Sequence, residues 1–310
     1  MGYLYALTTA VLIALSDVLV RKLFRRVEGL GVREMALMRV MLVAPLLLLA
    51  LPLAGPIPRE PTFWLVVALG MPLELIALLL YVRALRDGEV SVALPLLSLT
   101  PMFVMLSGPL IAGDPWPRLE ALGVIAIVLG VWHLQIPHAK PQAQAQHGAR
   151  VRGRLRRRLY EFSLPLRAIG SQPAARGMLI VVVCYSLTGG LGKLGVVVAG
   201  PLAMFVWYFL ALALAAFVLV IPRIRNLAAV FRQEPWLCGA LALTYGVHLL
   251  AHVVGLSFIP AVELVAIKRL SIIFAALMAV WILREALPAG RVLGILLMLA
   301  GALWISMFGQ

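Results

Sequence analysis

Residues 112–132, AGDPWPRLEALGVIAIVLGVW, align without a gap on residues 283–303, LREALPAGRVLGILLMLAGAL. Asp114, Gly123 and Gly130 fall on Glu285, Gly294 and Gly301, each 171 residues further along. Both copies run from an acidic residue at the end of one apolar stretch, through a Pro-containing turn, into a second stretch with two glycines seven apart. Self-similarity at a fixed offset marks a chain built from two related halves.

The composition says what the halves are made of. The 310 residues are 63% hydrophobic and only 13% charged, with a mean hydropathy of +1.02; soluble domains carry about 25% charged residues. A stretch of about 20 apolar residues spans a hydrocarbon core about 30 Å thick. Ten such stretches lie between the charge clusters, at about 3–20, 35–54, 62–84, 90–112, 118–136, 177–199, 201–222, 236–258, 260–283 and 290–308. The reading is an all-α polytopic membrane protein with ten transmembrane helices, divided into a first repeat (1–137), a basic flexible loop (138–176) and a second repeat (177–310). The first stretch lacks a basic leader and runs into RKLFRR at 21–26, so it reads as a retained anchor. Cys184 and Cys238 fall in or at the edge of apolar stretches and read as small hydrophobes, not as a disulfide.

Five spans per half is an odd number, so the second copy enters the membrane upside down relative to the first. Inverted repeats of this kind place a solute site near the midplane, where the halves meet. Carried back along the chain, the same offset pairs Glu74 with Tyr245 and Tyr81 with His252. Tyr245, His248 and His252 share one helical face, as do Glu74 and Tyr81, which makes two polar stripes on the third and eighth spans. Asp114 and Glu285, at membrane edges, read as helix-end caps.

The net charge of +14 is distributed by loop. Connections after the odd-numbered spans hold 21 of the 27 Lys and Arg, against only Arg59 and Arg118 on the other side. Basic loops stay cytoplasmic. Both termini are therefore expected outside and the 138–176 loop inside, its basic 150–158 segment suited to anionic lipid. No nucleic-acid module and no GxxxxGK[ST] phosphate loop is present, so neither nucleic acid nor ATP is an expected partner.

Four cations remain inside spans: Arg39, Lys193, Lys268 and Arg269. Lys268 and Arg269 lie eight or nine residues past Pro260, about 12 to 14 Å into a helix. A charge at that depth costs about 3 kcal/mol on insertion scales, so it calls for a water-filled cavity or a partner. Adjacent residues diverge by about 100°, which lets one cation face a cavity while the other pairs. The embedded acids are Asp17, Glu74 and Glu263. Asp17 precedes Arg21 by four residues and reads as a local ion pair near the membrane edge; Glu74 suits a coupling proton or a balance for Arg39; Glu263, just after Pro260, reads as nearer an interface. The alternative is that these acids neutralise Lys268 and Arg269 and merely fix packing. Glycines 189, 190, 192 and 195 around Lys193 read as close helix packing. His248 and His252 are spaced for metal, but no third ligand accompanies them, so no metal or other cofactor is expected. Trp132, Trp207, Tyr208 and Trp304 are either cavity wall or interface belt.

The stretches LSLTPMFVMLSGPLIAGDPWPRLEALGVIAIVLGVW (97–132) and AIKRLSIIFAALMAVWILREALPAGRVLGILLMLAGALW (266–304) resemble the drug/metabolite transporter superfamily, in its ten-helix form of two EamA-type repeats. The resemblance spans nearly the whole chain except 138–176. It implies a transporter and not an enzyme, working by alternating access on a small-molecule substrate in the bilayer. The best-known relatives place both termini in the cytoplasm, opposite to the charge tally here. IKRLSII (267–273) also resembles the Lys-Arg pair on the ninth helix of plastid phosphate translocators. That likeness implies that Lys268, Arg269 and Lys193 bind an anionic group.

The leading expectation is a secondary active or facilitative transporter of a small polar, anionic or zwitterionic metabolite. Its candidate substrate residues are Lys268, Arg269, Lys193, His248, His252, Tyr245, Glu74 and Tyr81, with Asp17, Arg39 and Glu263 as coupling or ion-pair groups. The rivals are an amino-acid or drug exporter with structural cations, and a flippase or membrane-embedded enzyme for lipid-linked substrates. A reporter fused after Gln310 tests the topology: activity on the external face is expected, and a cytoplasmic signal refutes the charge reading.

Overall fold

The computed structural model describes residues 1–86, 96–135, 173–283 and 292–309. Most of the 138–176 loop, its 150–158 segment, Arg284 and Glu285 lie outside the described residues. The chain is an all-α polytopic membrane protein, without strand among the described residues. Six helices are long and apolar enough to cross a membrane: Gly2–Arg26, Val32–Leu53, Pro61–Ala84, Ala175–Ala199, Pro201–Gln233 and Pro235–Leu256. Thr100–Ala112, Glu120–His133 and Leu293–Phe308 are shorter apolar helices.

In chain order the helices are α1 (Gly2–Arg26), α2 (Val32–Met41), α3 (Ala44–Ala50), α4 (Pro61–Arg86), α5 (Thr100–Ser107) and α6 (Glu120–Gln135) in the first half. The second half has α7 (Pro173–Ala199), α8 (Phe209–Val220), α9 (Ile224–Gln233), α10 (Pro235–Leu256), α11 (Ala261–Lys268), α12 (Ser271–Leu283) and α13 (Val292–Phe308). Helix α7 begins at Pro173, so residues 173–176 belong to it and not to the preceding loop.

The packing follows the 171-residue offset. Helix α1 packs on α10, and its counterpart α7 packs on α4; α1 also packs on α12, and α7 on α5. Helices α6 and α13 pack on each other, as do α2 and α8. Every one of these contacts joins the two halves. At the α6–α13 seam a Cβ on Gly123 would lie 2.7 Å from the Gly301 carbonyl oxygen, and a Cβ on Gly130 would lie 2.7 Å from that of Gly294. Only glycine permits backbones this close. Because Gly123 meets Gly301 while Gly130 meets Gly294, the equivalent helices run antiparallel, as copies inserted in opposite senses must.

Two stretches that read as continuous spans are broken. The N–H groups of Arg269 and Leu270 donate to Ala266 (3.0 Å) and Ile267 (2.9 Å), three residues back, which separates α11 from α12 at the Lys-Arg pair. In the first half Leu99 N–H donates to Leu96 at 3.0 Å, and Ser98–Leu99 form the turn before α5. Residues 98 and 99 are the repeat equivalents of 269 and 270. Each half therefore carries a discontinuity at the same place.

One helix appears where the sequence reads as a basic connection. α9 buries Leu227 and Val230 and exposes its arginines. Ion pairs fasten this end of the bundle across the halves: Arg223 to Glu34 at 2.7 Å and Arg26 to Glu234 at 3.1 Å.

Candidate substrate site

Arg39 is 1% exposed, deep within the bundle. Its Nη2 lies 2.9 Å from Asp17 Oδ1 and donates to Ser16 Oγ at 3.0 Å. The guanidinium carbon stands 4.3 Å from the centroid of the Tyr245 ring, close enough for a cation–π contact. The other Asp17 oxygen accepts a 2.6 Å hydrogen bond from the Tyr81 hydroxyl. Asp17 thus pairs with Arg39 and Tyr81, from α2 and α4, and not with Arg21 on its own helix. A fully desolvated guanidinium outbids a half-buried one, since in low dielectric the attraction is hardly screened. Asp17 also takes the role expected of Glu74 as the contact partner of Arg39.

The eighth-span stripe lies alongside. Tyr245 and His248 stack at 5.7 Å between centroids, and His248 and His252 at 6.2 Å. His248 Nδ1–H donates to the Thr9 carbonyl of α1 at 3.1 Å. His252 Nδ1 has no hydrogen-bond partner among the described residues. Among the described residues, no three His, Cys, Asp or Glu side chains converge as a metal site.

Lys268 and Arg269 reach this cluster from the break between α11 and α12. Arg269 is 7% exposed, its Nε is without a hydrogen-bond partner among the described residues, and Lys268 is half-buried. Neither makes an ion pair at contact distance among the described residues. The charges that act on Lys268 are those of Arg269, Glu74 and Asp17; those on Glu74 are Lys268 and Arg39, with the Thr188 hydroxyl beside the carboxylate. Tyr81 and Tyr185, edge to face at 6.4 Å, border Arg269. Three cations, Arg39, Lys268 and Arg269, therefore meet two acids, Asp17 and Glu74. The excess is positive.

Lys193 is held elsewhere. Its ammonium donates to the carbonyls of Leu256 and Ile259, the latter at 3.1 Å, and sits 3.7 Å from Asp114 Oδ1. Asp114 Oδ2 accepts the Ala261 N–H at 2.8 Å. Lysine and aspartate together close the end of α10 and the start of α11, each satisfying backbone groups that a helix terminus leaves open. Asp114 is a helix cap, as its sequence position suggests, but it caps a helix of the other half. Glu263, fully buried in the first turn of α11, accepts a 2.7 Å hydrogen bond from Tyr3 OH, more than one turn before Lys268. Trp304 Nε1 donates to Leu119 at 2.8 Å across the α6–α13 seam, and Trp207 Nε1 is buried without a partner.

The family model described as "EamA-like transporter family" matches residues 1–134 and 173–307. The chain belongs to this family. No curated protein matches the sequence. A solved structure described as "Crystal structure of protein" is similar in fold, with a TM-score of 0.63 and 14% sequence identity over 99% of this chain and 96% of that one. As an EamA-like protein the chain is a membrane transporter, and the buried charges have to be read in that setting.

The sequence reading missed Ser16, Tyr185 and Thr188. Thr188 was within reach, since it is the repeat equivalent of Asp17; Tyr185, on the same helix, precedes it by just under one turn. Removing the charge of Asp17 leaves Arg39 buried and uncompensated, at a cost of about 3–5 kcal/mol. The unfolding midpoint of Asp17→Asn in detergent is expected to fall accordingly, and Asp17→Asn/Arg39→Met to regain most of the loss. A single variant as stable as the parent contradicts the pairing.

Proposed function

We propose that this transporter moves a small solute with a carboxylate, phosphate or zwitterionic group by alternating access, and that the group is held by Lys268 and Arg269. The observation that carries the proposal is the surplus of buried positive charge at the break between α11 and α12. A charge-assisted hydrogen bond donated to a carboxylate or phosphate satisfies the open Arg269 Nε–H, and a point charge from Lys268 adds to it. His252, His248, Tyr245, Glu74 and Tyr81 form the remaining wall, and Arg39 with Asp17 fixes its shape. Lys193, bound to Asp114 and two carbonyls, is left out of the site.

The repeat-equivalent breaks at 98–99 and 269–270 support the alternating step, because discontinuous helices at the midplane let each half bend around a bound solute. The links between halves sit towards both ends of the bundle: Lys193 with Asp114 at one, and Arg223 with Glu34 and Arg26 with Glu234 at the other. Alternating access requires them to loosen in turn. The charge tally supports a cytoplasmic face for the Arg26 and Arg223 end.

A second reading, an exporter of amino acids or drugs with structural cations, draws on the pairing of Arg39 with Asp17. Ligand-induced thermal stabilisation separates the two. Small carboxylates and phosphates are expected to raise the unfolding midpoint of the purified protein, and Lys268→Gln to weaken that binding at least about tenfold, the equivalent of about 1.4 kcal/mol. Equal stabilisation by uncharged analogues, or binding indifferent to Lys268→Gln, favours the second reading.

A further inference from the structure

Far from the central cluster, α9 follows α8 and precedes α10, on which it packs. Ile224, Leu227 and Phe231 recur at helical spacing on one face, while Arg225 and Arg232, seven apart, share another. Trp236, 89% exposed at the start of α10, has the composition of a membrane–water interface anchor. A helix of this kind lies in the plane of the interface with its apolar face in the acyl region.

Beside it runs a groove of about 270 Å³, lined by apolar residues of three elements: Leu42, Pro45 and Leu46; Phe231; and Cys238, Gly239, Ala242 and Leu243. Its shape follows from two glycines on α10. At Gly246 a Cβ would lie 2.6 Å from Leu46 Cδ1, so there the helix presses against the α2–α3 segment. At Gly239, two turns earlier, a Cβ would meet nothing within 4 Å. The two helices therefore diverge towards the end where α9 lies, and the groove is the wedge between them.

We propose that this wedge is a binding site for an anionic phospholipid, with one acyl chain between α10 and the α2–α3 segment and the headgroup phosphate at Arg232 and Arg225. The apolar lining fits a chain and offers no hydrogen bond to a polar ligand. Charge decides the headgroup. Arg26 and Arg223 are already paired with Glu234 and Glu34, whereas Arg225 and Arg232 are exposed and make no ion pair or hydrogen bond among the described residues. Basic residues at this level each strengthen binding to anionic lipid several-fold.

The test uses the full-length protein, delipidated in detergent and titrated with phosphatidylglycerol or phosphatidylcholine under native mass spectrometry. The wild type is expected to retain phosphatidylglycerol about tenfold better than phosphatidylcholine. Arg225→Gln/Arg232→Gln brings phosphatidylglycerol down to the phosphatidylcholine level, and Gly239→Phe, which fills the wedge, lowers both. The arginine variant alters only exposed side chains, so the selectivity result stands even if the glycine variant misfolds. Equal retention of the two lipids by the wild type overturns the proposal. So does a wild-type dimer that Gly239→Phe dissociates, which would make the groove a contact between copies.

Discussion

A guanidinium at the centre of an apolar bundle cannot be left alone, and Arg39 is the most deeply buried cation among the described residues. Its charge is met by Asp17 from α1, its free face by the ring of Tyr245 from α10, and the remaining Asp17 oxygen by Tyr81 from α4. These groups come from both halves of the chain. The requirement to neutralise one buried charge thus ties the repeats together deep within the bundle, while the α6–α13 glycine contacts bring them together through backbone alone. Once Asp17 is committed to Arg39, Glu74 is the acid left to act on Lys268 among the described residues. The surplus positive charge at the ninth-span break follows from that allocation.

The break itself has a consequence for mobility. A continuous helix through Lys268 and Arg269 would hold both side chains in a fixed relation to the hydrocarbon. With three-residue hydrogen bonds at 269–270 and the equivalent turn at 98–99, each half gains a place where a few dihedral angles absorb a bend. In the proposed transport cycle these repeat-equivalent breaks serve as the hinges for opening towards either face.

Much of this was legible in the sequence, and the parts that were not have physical reasons. Apolar length and the glycine spacing are local signals, and they carried the ten spans, the repeat and the inversion. The helix break was hidden because residues 266–273 contain neither proline nor glycine; packing imposes it. Asp17 was assigned to Arg21 because spacing along one helix favours a neighbour four residues away, whereas its true partner is 22 residues distant and more buried. Lys193 became a substrate candidate on its depth in the span. Its main acceptors are backbone carbonyls of Leu256 and Ile259, and a carbonyl left open at a helix end has no side-chain signature. α9 passed for a loop because its arginines drew the eye from the apolar stripe at 224, 227 and 231.

The account rests on the claim that Lys268 and Arg269 serve the solute and Arg39 serves the fold. Counterflow in proteoliposomes, run with an anionic substrate, tests this most directly. Lys268→Gln and Arg269→Gln are expected to fold with a near-parental unfolding midpoint and lose at least about nine-tenths of the exchange, the scale of a buried charge-assisted hydrogen bond. Normal exchange in both variants, or exchange lost only together with the fold, contradicts the account.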